Sequence, residues 1–142
     1  MTAIDFYTHV ASPLEVAARL VQKAWAQHGS VRVLTPDAET TALLDRLLWT
    51  QPALSFIPHC KLDGADAADT PVIVDDALTH DGTASVLINL HPQTPPFFSR
   101  FERLAEIVAT GEPAIEAGRT RYRFYRERGY AMRTHDLSGR GD

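Results

Sequence analysis

The chain has 142 residues, 44% hydrophobic and 23% charged, which suits one globular domain that buries its core without metal or disulfide staples. Its one cysteine, Cys60, excludes an internal disulfide, and no apolar run approaches the roughly 20 residues needed to span a bilayer. The net charge of −4 is uneven: residues 1–99 hold 5 Lys/Arg against 11 Asp/Glu and residues 100–142 hold 9 against 7, which argues against broad wrapping of nucleic acid and leaves room for a local anion site near the end of the chain.

Met1–Val10 has no basic start followed by an apolar run, so no secretory signal is expected and the protein reads as soluble and cytoplasmic. Ile4–Tyr7 predicts a short strand. Pro13–His28 predicts a helix, with Ser12 placed to cap it, Pro13 in its first turn and Gly29 ending it. Leu14, Ala17, Ala18, Val21 and Trp25 recur at helical spacing and form its expected buried face. Val31–Leu34 reads as a strand, and a second helix runs from about Pro36 to Leu48 with the stripe Leu43, Leu44, Leu47 and Leu48. Residues 62–71 are small, acidic and bounded by Gly and Pro, as in a surface loop. Val72–Val74 and Val86–Ile88 are short β-branched runs that predict buried strands. Phe97–Val108 fits a short helix feeding a short strand. Glu112–Arg128 fits a helix stopped by Gly129, Tyr130–Arg133 a final strand, and residues 136–142 a flexible tail. Strands alternating with helices over residues 1–142 predict a single Rossmann-like, three-layer α/β domain, with a mostly parallel central sheet and helices on both faces. That fold alone names no function.

Several chemistries are missing. No G-x-G-x-x-G follows the first strand, where the turn is Thr8–Ser12, and no G-x-x-x-x-G-K-[ST] occurs, so no nucleotide and no other cofactor is expected. His59 and Cys60 lack Cys-x-x-Cys or His-x-x-x-His company, and read as a loop histidine beside a half-buried thiol rather than metal ligands or a nucleophile with its base. Asp75-Asp76 reads as a solvated strand exit. No catalytic residue is expected.

Two segments stand out. In Trp49–His59, a tryptophan leaves a helix and Pro52, Phe56, Pro58 and His59 follow. The prolines stiffen the connection, so Trp49 and Phe56 either fill the core beneath it or present a rigid partner surface. In Arg119–Tyr130, the helical projection puts Arg119, Arg123 and Arg126 on one face with Tyr122 at its edge. Tyr125, Ala114 and Ala117 lie toward the buried side, where Arg121 snorkels or meets a carboxylate. Guanidinium forks beside a tyrosine suit a peptide that ends in an aromatic residue and a free carboxylate. The same set suits a few phosphates and a stacked base, or a solvated face favoured by the helix dipole.

Asp5-Phe6-Tyr7, Leu44–Trp49 with Pro52, Ser55–His59, and Arg119-x-Arg121-Tyr122-x-x-Tyr125-Arg126-x-x-Gly129-Tyr130 together resemble the chi subunit of bacterial DNA polymerase III, over residues 4–133 and in the same order. The resemblance implies a non-catalytic, Rossmann-like accessory subunit of the clamp-loader complex. One surface of such subunits binds the psi subunit; another binds the acidic C-terminal tail of single-stranded-DNA-binding protein, which ends in phenylalanine. Carried over, Trp49 and Phe56, with Pro52 and Pro58, match the psi side. Arg119 and Tyr122, with Arg123 and Arg126, match the tail side, and contact with DNA is expected to be indirect. Ile115 stands where some members carry a lysine, which implies either weaker tail binding or a shift of weight to Arg123 or Arg126. Where psi is lacking, a helicase-like partner is the expected occupant of the Trp49–Phe56 surface. The competing readings are a degenerate nucleotide-binding enzyme, opposed by the missing phosphate loop, and a direct binder of single-stranded DNA.

Overall fold

The computed structural model describes residues 1–51, 58–61, 71–80 and 84–138. In chain order these form β1 (Ala3–Val10), α1 (Pro13–His28), β2 (Val31–Leu34), α2 (Ala38–Thr50), β3 (His59–Cys60), β4 (Val72–Asp75), β5 (Val86–Asn89), a 3-10 turn (Phe98–Arg100), β6 (Arg103–Ala109), α3 (Glu112–Glu127) and β7 (Met132–Asp136). The strands make one sheet in the order β3-β4-β2-β5-β6-β1-β7, and every pair is parallel.

Alternation along each strand divides the core in two. Val31, Val33, Val74, Ile88 and Ile107 point to the face covered by α1 and α2. Ile4, Phe6, Leu87, Leu104 and Val108 point to the face covered by α3 and the Phe97–Phe101 segment. This is the expected three-layer α/β arrangement, with a sheet parallel throughout. Among the described residues, no helix covers β2 and β4 on the second face. There Arg32, fully buried on β2, donates to the carbonyls of Thr79 (2.9 Å), Ala77 (2.7 Å) and Asp75 (3.2 Å), and its guanidinium lies 5.0 Å from the centre of the Phe97 ring. An arginine thereby pins the loop that stands in for a helix. Burial brings its pKa down to about 10, against the pull of Asp75 and Asp76, so it keeps its charge at neutral pH.

Several expectations need correction. Ser12 makes no side-chain capping bond; its carbonyl accepts from the Val16 N–H instead. Trp25 is 37% exposed, because Val16 and Ala24 take the buried face of α1. Leu43 turns to solvent, while Thr41, Leu44 and Leu48 are buried, and α2 starts after Asp37, whose carboxylate accepts from the Thr40 N–H at 2.7 Å. His59 is not a loop residue: it is buried in the edge strand β3, beside the half-buried Cys60. Asp75 is buried, not solvated, and accepts from the Ala77 N–H.

The last strand starts at Met132 rather than Tyr130, because the helix terminus consumes the intervening backbone. Gly129 adopts φ 79°, its N–H bonds the Arg126 carbonyl, and the Tyr130 N–H bonds the Tyr125 carbonyl. Strand β7 runs to Asp136, after which the Leu137 N–H donates to the Thr8 carbonyl and the Ser138 N–H to the Asp136 carboxylate. Pro52, Phe56 and residues 62–70 of the expected acidic loop lie outside the described residues, as do 139–142. No helix among the described residues is long and apolar enough to cross a membrane.

Candidate functional site

Helix α3 packs closely on β6. A Cβ at Gly118 would fall 2.9 Å from the Val108 Cγ2, so only glycine permits this approach. Beside the contact, between α3 and the β1–β7 edge, a groove of about 320 Å3 opens. Phe6, Val108, Ile115, Gly118 and Tyr122 form its apolar walls, with Arg119, His9 and Thr134 also lining it. Tyr122 is half-buried and meets the Phe6 ring edge-on at 5.2 Å. The Arg119 side chain is 68% exposed and makes a 3.6 Å contact to Glu116, an exposed i,i+3 pair too weak to hold it from another carboxylate. Arg126 sits 6.0 Å from the Tyr122 ring centre. An apolar slot with a guanidinium in its lining accepts an aromatic side chain and an adjoining carboxylate.

Two features hold the groove in shape. Beneath α3, Glu106 of β6 is fully buried and accepts from Arg121 Nε (2.9 Å), Asn89 Nδ2 (2.8 Å) and the Tyr125 hydroxyl (2.6 Å). Burial pushes the Glu106 carboxyl above the ordinary carboxylate range, with Arg121 pulling the other way. The Tyr125 phenol is also pushed up, by burial and then by Glu106. Arg121 adds a bond to the Pro92 carbonyl at 2.8 Å, so the carboxylate fixes both the rotation of α3 and the loop after β5. At the other wall, the register between β1 and β6 breaks between Tyr7 and Val10, and His9 takes φ 58°, a left-handed conformation uncommon outside glycine. Its Nδ1 lies 3.0 Å from the Asp136 carboxylate.

A second surface lies at the far edge of the sheet. Trp49, in the last turn of α2, is 54% exposed, and its ring packs at 4.6 Å on that of His59. His59 Nε2 in turn lies 3.3 Å from Asp45. Trp49 therefore does not fill the core. Pro58 is exposed nearby in sequence.

Of the four residues expected on α3, Arg119 and Tyr122 line the groove, Arg126 approaches Tyr122, and Arg123 is exposed but does not line it. Arg121 meets a carboxylate, Glu106, rather than snorkelling to solvent. Sequence reasoning missed Phe6, His9, Val108, Gly118 and Thr134 as groove residues. Gly118, inside an otherwise regular helix, is the one signal that pointed to a close helix–sheet approach.

Residues 1–133 match the protein family described as DNA polymerase III chi subunit, HolC. The chain is similar to the DNA polymerase III subunit chi of Pseudomonas aeruginosa, 37% identical over 142 residues that cover 96% of this chain and 98% of the relative. It is also similar to the proteins of the same description from Escherichia coli, 24% identical over 84% of this chain and 82% of the relative, and Haemophilus influenzae, 25% identical over 87% and 86%.

Proposed function

The chain belongs to the DNA polymerase III chi subunit family, and from that premise we propose that it serves DNA replication in the cytoplasm as a non-catalytic adaptor of the polymerase III holoenzyme. The α3 groove takes the acidic C-terminal tail of single-stranded-DNA-binding protein, and the Trp49 surface takes the psi subunit of the clamp loader. The observation that carries this reading is the groove itself: apolar walls with room for an aromatic side chain, and the exposed Arg119 guanidinium among the residues that line it. The tail's terminal phenylalanine would lie between Tyr122, Phe6 and Ile115, and its carboxylates would meet Arg119. Arg123 and Arg126, farther along the helix, would attract the preceding acidic residues without fixed pairing, a contribution that salt screens.

The test is fluorescence anisotropy with a labelled acidic peptide ending in Asp-Ile-Pro-Phe, beside the same peptide without its phenylalanine. Only the full peptide should bind tightly. Arg119→Ala should weaken it about tenfold or more, the scale of one lost charge-assisted hydrogen bond, with the thermal midpoint unchanged. Equal affinity for the two peptides would remove the groove from this role.

A further inference from the structure

The face of the sheet opposite α3 is incompletely covered. Helix α1 lies over β2, β5 and β6, and beyond it β1 and β7 present Asp5, Tyr7, Arg133 and His135. With Lys23 of α1 and Arg103 of β6 these line a concavity of about 230 Å3. Lys23, Arg103 and Arg133 set three permanent cations against the single carboxylate of Asp5 in a chain whose net charge is −4. That carboxylate is already engaged: it accepts from Arg133 Nε at 3.1 Å and lies 2.9 Å from His135 Nε2, with its side chain only 13% exposed. Among the described residues, the side chains of Lys23 and Arg103 make no hydrogen bond or ion pair, so both charges are free for a ligand. The Tyr7 and His135 rings stack on each other 4.7 Å apart at 16°, a pair that a further planar group would extend at an outer face.

We infer that this concavity is a second binding site, separate from the α3 groove, for the backbone of single-stranded DNA, with Lys23, Arg103 and Arg133 meeting phosphates and the Tyr7–His135 stack meeting an unpaired base. Charge complementarity selects a polyanion. The stacked ring pair selects one that carries planar groups, as an unpaired nucleic-acid strand does and an acidic peptide does not. The few cations of the concavity set a short footprint, so the acidic body of the protein is no obstacle to a contact of two or three phosphates. Such a contact adds a direct touch on the template to the indirect one made through a protein tail.

The experiment is anisotropy of the full chain with a labelled oligothymidylate of about 12 nucleotides across a salt series. Three phosphate contacts predict a plot of log affinity against log salt with slope of about −2. The double variant Lys23→Glu, Arg103→Glu should lose at least tenfold in affinity at low salt. Its circular dichroism should match the parent's, because neither side chain makes a bond among the described residues. A duplex of the same length should bind more weakly, since its bases are not free to stack. No binding of the oligonucleotide by the parent at low salt, or equal affinity in the double variant, would overturn the assignment. So would a polyglutamate peptide displacing the oligonucleotide from this face more effectively than unlabelled oligothymidylate does.

Discussion

The Glu106 carboxylate is the residue on which the placement of α3 turns. It receives three side-chain donors, one from strand β5 and two from helix α3, in a site without water access. Removing one donor leaves part of a buried charge unsatisfied, so Tyr125→Phe should cost about 1.5–3 kcal/mol, read as a lower urea midpoint at unchanged slope. The same carboxyl carries a pH signature. Because its folded-state pKa lies above the ordinary value, at pH values between the two the native state binds more proton than the unfolded chain does. Its influence on stability therefore declines as pH rises from the ordinary carboxylate range through the raised folded value. Glu106→Gln should lower the urea midpoint at pH values above the raised folded value, where it removes the charge that answers Arg121, and should flatten this part of the pH profile; an unchanged profile would mean that another group titrates there. The position of Arg121 on the buried side of α3 left it to snorkel or to meet a carboxylate, and it meets one. Which carboxylate could not be read, because Glu106 sits in a strand whose partners are chosen by sheet order.

At the scale of elements, the contact between α3 and β6 is set by one missing side chain. Gly118→Ala favours the helix intrinsically by roughly 0.5–1 kcal/mol, yet its Cβ would press on both γ-methyls of Val108, a β-branched side chain with little freedom to yield. Overpacking should win, with a net loss of about 1–2 kcal/mol and a weaker peptide contact as α3 lifts from the groove. Val108→Ala in the same chain should restore part of the loss, and thermal denaturation of the four proteins in that cycle measures it. Helix limits were legible where a backbone device marks them: Pro13 and Gly29 bound α1 as expected. The start of β7 was not, since the pattern Tyr130–Arg133 does not reveal that the Tyr130 N–H closes the preceding helix.

For the whole molecule, strand order separates the two proposed protein-binding surfaces. Trp49 rests on β3 at one edge and the α3 groove flanks β7 at the other. Six strand-to-strand steps of about 4.8 Å put them roughly 29 Å apart. Changes that distant with no shared partner act independently. Trp49→Ala should abolish psi capture while leaving peptide affinity within twofold, and Arg119→Ala should do the reverse, in paired pull-down and anisotropy measurements. Coupled loss at both surfaces from either change would show that they are one site or that the fold has been disturbed.

The sequence by itself determined the alternation of strand and helix, hence the α/β class. It also determined which face of α3 carries the arginines, because a 3.6-residue period and β-branched runs are local properties. Only the tertiary structure decided that the sheet is parallel throughout, that Glu106 answers Arg121, that Trp49 stays in solvent on His59, and that Phe6 and His9 join Arg119 around one groove. It also set Lys23, Arg103 and Arg133 around the Tyr7–His135 stack. Those outcomes depend on strand order, which brings residues 6 and 122, or 7 and 135, together across more than a hundred positions. No local pattern encodes a contact whose loop is closed by the burial of the whole core.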